Sequence, residues 1–152
     1  MTSDLESLQF RAQGHPVWRA WFDGSAVPNP GCIGIGAVLL SPEGERFEIS
    51  LSAGDGDSTR AEYLALIALL ELAIEHGVQH LIVQGDSRVV LNDIDATAPI
   101  RTGEQEACRR HALQLMVYIP ALQLQWIPRA RNGEADRLAR MPVGLPAVKI
   151  RR

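Results

Sequence analysis

The spacing of hydrophobic positions changes several times along this chain, and each change marks an element. Residues 17–23 (VWRAWFD) form a compact aromatic and apolar run that predicts a strand. GSAVPNPG, residues 24–31, is dense in turn formers. Residues 33–40 (IGIGAVLL) predict a second strand, and SPEGE after it a turn. Residues 46–52 (RFEISLS) alternate, with Phe47, Ile49 and Leu51 on one face, which predicts a third. Turns this short between three strands favour an antiparallel meander.

From residue 60 to residue 76 the pattern becomes helical and almost wholly apolar (AEYLALIALLELA), so this helix is expected to be buried. Ser58 or Thr59 is the expected N-cap, with Glu62 closing a capping box from Thr59, and Gly77 is the stop. HLIVQ, residues 80–84, is a strand expected to run parallel to an earlier one, because it follows a crossover helix. A short helix over 88–94, a loop over 95–103 and a helix over 104–118 come next. Residues 121–127 predict a fifth strand with Leu122, Leu124 and Trp126 on one face. PRARNG is a loop, residues 134–141 are a last helix, and Pro142 ends it.

A length of 152 residues suits one domain with one core. Residues 1–15 read as a flexible polar arm, 16–141 as the domain, and 142–152 as a basic tail. Hydrophobic content of 46% with 22% charged residues is that of a globular protein, and no apolar run is long enough to cross a membrane. The first residues lack the basic start and apolar stretch of a secretory signal. Cys32 and Cys108 make neither a disulfide framework nor a metal cluster, and read as reduced thiols of a cytoplasmic protein. The net charge of −3 speaks against a nucleic-acid partner, but its distribution speaks for one. Residues 127–152 hold seven basic residues against Glu134 and Asp136. Such an end can contact phosphates, or can simply be a solvated tail.

Four carboxylates remain. Asp23 ends the first strand, Glu62 lies in the first turn of the apolar helix, Asp86 follows the fourth strand, and Asp136 lies on the last helix. Each has a structural alternative. Asp23 can be a turn residue, Glu62 part of the capping box, Asp86 an N-cap, and Asp136 an ion-pair partner of Arg140. Taken together, acids at two strand ends and two helix starts can converge on one crevice, where they repel each other unless cations neutralise them. Oxygen ligands of this kind suit magnesium or manganese, and their natural use is two-metal hydrolysis of a phosphodiester. No histidine or cysteine spacing suggests zinc.

Four segments in order, FDGSAVPNPGCIGIGAVL, RAEYLALIALLELA, VQGDSRVV and WIPRARNGEADRLAR, resemble the ribonuclease H type 1 family. The last is most similar to the archaeal, Gram-positive and reverse-transcriptase-like branch. The resemblance implies an α/β fold of the ribonuclease H kind. Its five-stranded mixed sheet has three antiparallel strands, then two parallel ones, and helices on both faces. It implies Asp23, Glu62, Asp86 and Asp136 as catalytic and metal-binding acids for two Mg2+ or Mn2+ ions. It also implies Gly24, Ser25, Asn29, Ser58, Thr59 and Asn132 on the substrate side. The expected activity is hydrolysis of the RNA strand of an RNA–DNA hybrid by a monomer, leaving 5′-phosphate and 3′-hydroxyl ends. A binding module with weak or altered nuclease activity, for instance on double-stranded RNA, is the alternative. Three departures stand out. Asp57, Ser58 and Thr59 replace the threonine and two asparagines usual before the glutamate. None of His15, His76, His80 and His111 lies in the loop before Asp136, which leaves Arg129 or Arg131 to assist product release. A basic handle before the fifth strand is absent or weak.

Overall fold

The computed structural model describes residues 14–95 and 103–144. Most of the expected N-terminal arm, the loop over 96–102 and the tail from residue 145 lie outside the described residues. Strands β1 (Trp18–Val27), β2 (Gly31–Leu40) and β3 (Arg46–Gly56) come first, followed by helix α1 (Ser58–Glu75) and strand β4 (His80–Gly85). Helices α2 (Arg88–Asp95) and α3 (Glu104–Met116), strand β5 (Ala121–Trp126) and helix α4 (Gly133–Arg140) complete the order. A 3-10 turn at Arg129–Arg131 leads into α4, and another at Met141–Val143 follows it.

The strands form one sheet in the order β3-β2-β1-β4-β5. β1, β2 and β3 pair antiparallel, while β4 runs parallel to β1 and β5 parallel to β4. The fold is therefore the expected mixed sheet, with the first strand at its centre. Ala20 and Phe22 of β1 and Ile33, Ile35, Ala37 and Leu39 of β2 join Ala61, Ala65, Leu66, Leu69 and Leu70 of α1 in one buried core. Positions of opposite parity in the same strands, Gly34 and Gly36 among them, face α4. Helices thus cover both faces, and the central ones are buried as the all-apolar pattern of α1 requires.

The structure differs from the sequence pattern at two informative places. β1 does not stop at Asp23. Gly24, Ser25, Ala26 and Val27 pair with Ile35, Gly34, Ile33 and Cys32, and only Pro28–Pro30 turn. Ladder pairing with an apolar partner strand overrides local turn propensity here, and the glycine inside the strand marks a close backbone approach. The second place is the start of α1. Its cap is Asp57, whose Oδ1 accepts the Arg60 N–H at 2.8 Å, so neither Ser58 nor Thr59 caps and no capping box forms with Glu62. At the other end Gly77 takes a left-handed φ of 67° and closes the helix as expected.

Backbone contact between sheet and helices depends on glycine. A Cβ on Gly36 would lie 2.4 Å from both the Ala135 carbonyl oxygen and the Ala139 nitrogen of α4. Gly36→Ala is therefore expected to push α4 off the sheet and lower stability by about 1–3 kcal/mol, the usual cost of overpacking. Urea denaturation checks this, and a midpoint equal to that of the parent would show that α4 can yield without cost.

Candidate active site

Three elements deliver the acids. Asp23 lies within β1 beside the helix crossing, 5% exposed, and its Oδ1 accepts the Gly24 N–H at 2.9 Å. Glu62 comes from the first turn of α1. That turn presses so closely on β1 that a Cβ at Gly24 would stand 2.3 Å from the Ala61 carbonyl carbon and 2.5 Å from the Glu62 nitrogen. Asp86 follows β4 directly. It is not the cap of α2, because Ser87 Oγ accepts the Val90 N–H at 3.2 Å. One carboxylate oxygen from each of Asp23, Glu62 and Asp86 lies within 4.8 Å of the others.

Burial and mutual repulsion show in the titration of this set. The Asp23 carboxyl is pushed up to about 8, first by burial and then by the charge of Asp86, with Asp136 adding to it. Glu62 is pushed up to about 10, again first by burial and then by the charge of Asp23. One oxygen of Glu62, Oε1, is buried without a hydrogen-bond partner. An orphaned carboxylate oxygen among converging acids fits a hard divalent cation, which prefers oxygen donors and offsets their repulsion. Asp136 stands outside the set of three but close enough for its charge to act on Asp23. The Arg140 pairing that would make it a simple surface charge does not form among the described residues.

The other candidates fall into distinct places. Asn132 is 1% exposed, and its Nδ2 donates to the Phe22 carbonyl at 2.9 Å and to Asp86 Oδ2 at 3.0 Å. Its amide N–H groups therefore hold the end of β1 and orient Asp86 from beneath the pocket. Asn29 and Ser58 bond to each other, through Ser58 N–H to Asn29 Oδ1 at 3.0 Å and Asn29 Nδ2 to Ser58 Oγ at 3.3 Å. This ties the Pro28–Pro30 turn to the start of α1. Ser58 and Thr59 line an open pocket of about 400 Å³ together with Glu62, Asp86, Ser87, Arg88, Val89, Trp126 and Arg129. Gly24 and Ser25 sit half-buried in β1 next to Asp23. Arg129 and Arg131 diverge: Arg129 shares the acidic pocket, while Arg131 lines a separate hollow with Trp21, Arg46 and Glu134. Cys32 and Cys108 are both free thiols. No helix among the described residues is long and apolar enough to cross a membrane.

Sequence reasoning missed the part that Arg88 and Trp126 take in the pocket. Alternation along β5 groups Trp126 with Leu122 and Leu124, yet its side of the strand end opens onto the pocket, and the residue is 40% exposed. Its Nε1–H donates to the Asp86 carbonyl at 3.2 Å, and the Arg88 guanidinium carbon lies 3.7 Å from the ring centroid. The only sequence signal was a large aromatic at the last position of an edge strand, close to an acid.

Residues 21–142 match the family described as "Reverse transcriptase-like". A Ribonuclease HI of Halobacterium salinarum is 33% identical over 79% of this chain and 61% of its own length. A "Putative hydrolase EbsB" of Enterococcus faecalis is 30% identical over 80% of this chain and 90% of its own. The solved RNase H1 of Halobacterium salinarum superposes with a TM-score of 0.78 at 31% identity, covering 84% of this chain and 97% of that one. The chain belongs to the ribonuclease H type 1 family. The two relatives just named come from an archaeon and a Gram-positive bacterium, the groups that the last motif resembles. The N-terminal RNase H domain of a Mycobacterium tuberculosis protein is a further structural neighbour, with a TM-score of 0.77 at 29% identity over 83% of this chain and 98% of that one. The corresponding full-length bifunctional protein is matched over only 33% of its length. An RNase H1 solved in complex with an RNA/DNA hybrid superposes with a TM-score of 0.74 at 26% identity, over 83% of this chain and 96% of that one.

The raised carboxyls set a pH dependence. Both fold with pKa values above their ordinary 3.8 and 4.5, so the protonated forms stabilise the metal-free native state. That contribution is full at pH below about 4 and is lost as pH rises through about 8 and 10. In chelator the melting temperature is expected to fall between these limits, and Glu62→Gln should flatten the decline. Thermal melts of both proteins across pH check this, and equal pH slopes would contradict it.

Proposed function

We propose that this protein is a metal-dependent endonuclease that hydrolyses the RNA strand of RNA–DNA hybrids and leaves 5′-phosphate and 3′-hydroxyl ends. The observation that carries the reading is the convergence of three carboxylates from β1, α1 and the end of β4 within 4.8 Å. Membership of the ribonuclease H type 1 family and likeness to an RNase H1 solved with a hybrid support the substrate. A pure binding module has no use for buried, mutually repelling acids. Residues 16–141 are the proposed catalytic domain and 142–152 a basic tail, working as a monomer in the cytoplasm.

Asp23, Glu62, Asp86 and Asp136 would hold two Mg2+ or Mn2+ ions. Bound there, such ions supply an activated water and neutralise charge on the leaving oxygen. The chain's own groups do the rest. Asn132 holds Asp86 in orientation through its Nδ2–H, and Gly24 admits the α1 backbone so that Glu62 meets Asp23. Gly24, Ser25, Asn29, Ser58 and Thr59 lie along the side from which a hybrid would approach. Hydroxyls at Ser58 and Thr59 can bond to sugar and base edges, with fewer donors than amides. Arg129, beside the acids, is better placed than Arg131 to help a phosphate product leave.

Purified protein incubated with hybrid, duplex RNA and duplex DNA tests the reading directly. Cleavage of the RNA strand of the hybrid in Mg2+ or Mn2+ is expected, and excess chelator should abolish it. Turnover that persists in chelator would exclude the mechanism. Asp86→Asn should remove activity while the fold survives, because it relieves repulsion rather than creating a cavity. Near-parent turnover in that variant would remove Asp86 from the site.

Asn132→Ala separates orientation from ligation. Losing a hydrogen bond to a metal-binding carboxylate typically lowers metal affinity or activity by about 10–100-fold. The same variant leaves the Phe22 carbonyl without its partner and should lower stability by about 1–3 kcal/mol. Metal titration of activity together with a melt reads both effects. An unchanged metal requirement would show that Asp86 is held by other means.

A further inference from the structure

The part of the acidic pocket contributed by α2 and β5 is built from Arg88, Val89 and Trp126. Arg88 is the first residue of α2 and lies two positions after Asp86, near enough in sequence to pair with it. Instead its guanidinium lies over the Trp126 ring, and it makes no ion pair or side-chain hydrogen bond among the described residues. The ring is itself fixed, because its indole N–H donates to the Asp86 carbonyl. A guanidinium lying over an aromatic face is held by the ring quadrupole and keeps N–H donors free for other partners. Arg129 lines the same pocket and is likewise without an ion pair among the described residues. The pocket therefore combines two carboxylates, Glu62 and Asp86, with two arginines that make no ion pair among the described residues.

Unpaired arginines beside acids are explained by an anion that arrives from outside. The planar fork suits a phosphate, which it can bind through two N–H groups at once. Anchoring it in advance reduces the ordering entropy lost on binding. We propose that Arg88, oriented by Trp126, grips a backbone phosphate of the bound nucleic acid next to the one to be cut, which belongs at the carboxylates. Trp126 is a positioning residue that acts through Arg88. The proposal rests on the nuclease reading only in requiring a polynucleotide in this pocket, since phosphates are common to hybrid and duplex RNA.

The test uses the full chain with hybrid and duplex RNA of equal length. Affinity is measured in chelator from about 50 to about 200 mM salt, and KM and kcat in Mg2+. Arg88→Ala should reduce the salt slope by about 0.9, the share of one phosphate contact on a duplex. It should raise KM on the order of tenfold, with kcat little altered. Arg88→Lys should keep the slope and recover only part of KM, because the ammonium neither stacks flat nor binds bidentately. Trp126→Phe, which keeps a smaller aromatic face and loses the indole N–H, tests the tether to Asp86 with part of the platform retained. Trp126→Ala should raise KM above Trp126→Phe while the slope holds, and should add nothing in the Arg88→Ala background. Equal slopes for parent and Arg88→Ala on both nucleic acids overturn the proposal, as does a fall in kcat with KM intact. Binding of duplex RNA without hybrid would overturn the substrate assigned above, and the Arg88 slope would then be decided on the RNA. Absence of binding to either would overturn both.

Discussion

Between β1 and the first turn of α1 there is room for a hydrogen atom at Gly24 and for nothing larger. That contact places Glu62 against Asp23, because the two acids flank it, one from the strand and one from the helix. An ordinary side chain at Gly24 would part the two backbones and the acids with them. The same device recurs on the other face, where Gly34 and Gly36 admit the backbone of α4, which carries Asp136. The sheet is thin at these points by design of its sequence, and the helices lie in backbone contact with it rather than on a cushion of side chains.

Such closeness sets the energetics of the site against those of the fold. Burial and like charge oppose ionisation of Asp23 and Glu62, and Glu62 Oε1 has no partner to offset its desolvation. The surrounding packing holds the acids in place nonetheless. Tyr63, next to Glu62, hydrogen-bonds through its hydroxyl to buried Asp93 of α2, and the Arg109 Nε–H of α3 donates to the Asp93 carbonyl at 2.9 Å. Three helices are thereby tied together directly behind the pocket. The repulsion among the acids is thus met by packing and hydrogen bonds that lie outside the acids themselves.

Much of this was legible in the sequence. The change from alternation to an all-apolar helical run identified α1, and acids at strand ends and helix starts pointed to one crevice. The mixed five-stranded sheet with helices on both faces came through the family resemblance rather than periodicity, and the strand order emerged only in the structure. Local signals failed where tertiary contacts decide. GSAV reads as turn, yet pairing with β2 keeps it in β1. Ser58 and Thr59 read as caps, yet Asp57 reaches the Arg60 N–H first. Asn132 is named only through the resemblance, and no local signal shows that its amide N–H groups reach Phe22 and Asp86. Alternation groups Trp126 with Leu122 and Leu124, but it cannot show that the ring lines the acidic pocket beneath Arg88. For GSAV and Trp126 the deciding partners lie far away along the chain, where no window of residues can find them, whereas the cap of α1 is decided by a contact only three positions on.

The bond from Asn132 to the Phe22 carbonyl joins residues 110 positions apart. β1 precedes the other four strands of the sheet along the chain and lies at its centre, yet it is tied by a residue that stands just before α4. A nascent chain short of residue 132 has Asp23, Glu62 and Asp86 without the amide that orients Asp86. The orientation of Asp86 seen here therefore depends on a residue made long after it. The loop before α4 is thus the last piece of the pocket to be made, and it joins the two ends of the domain at the acids.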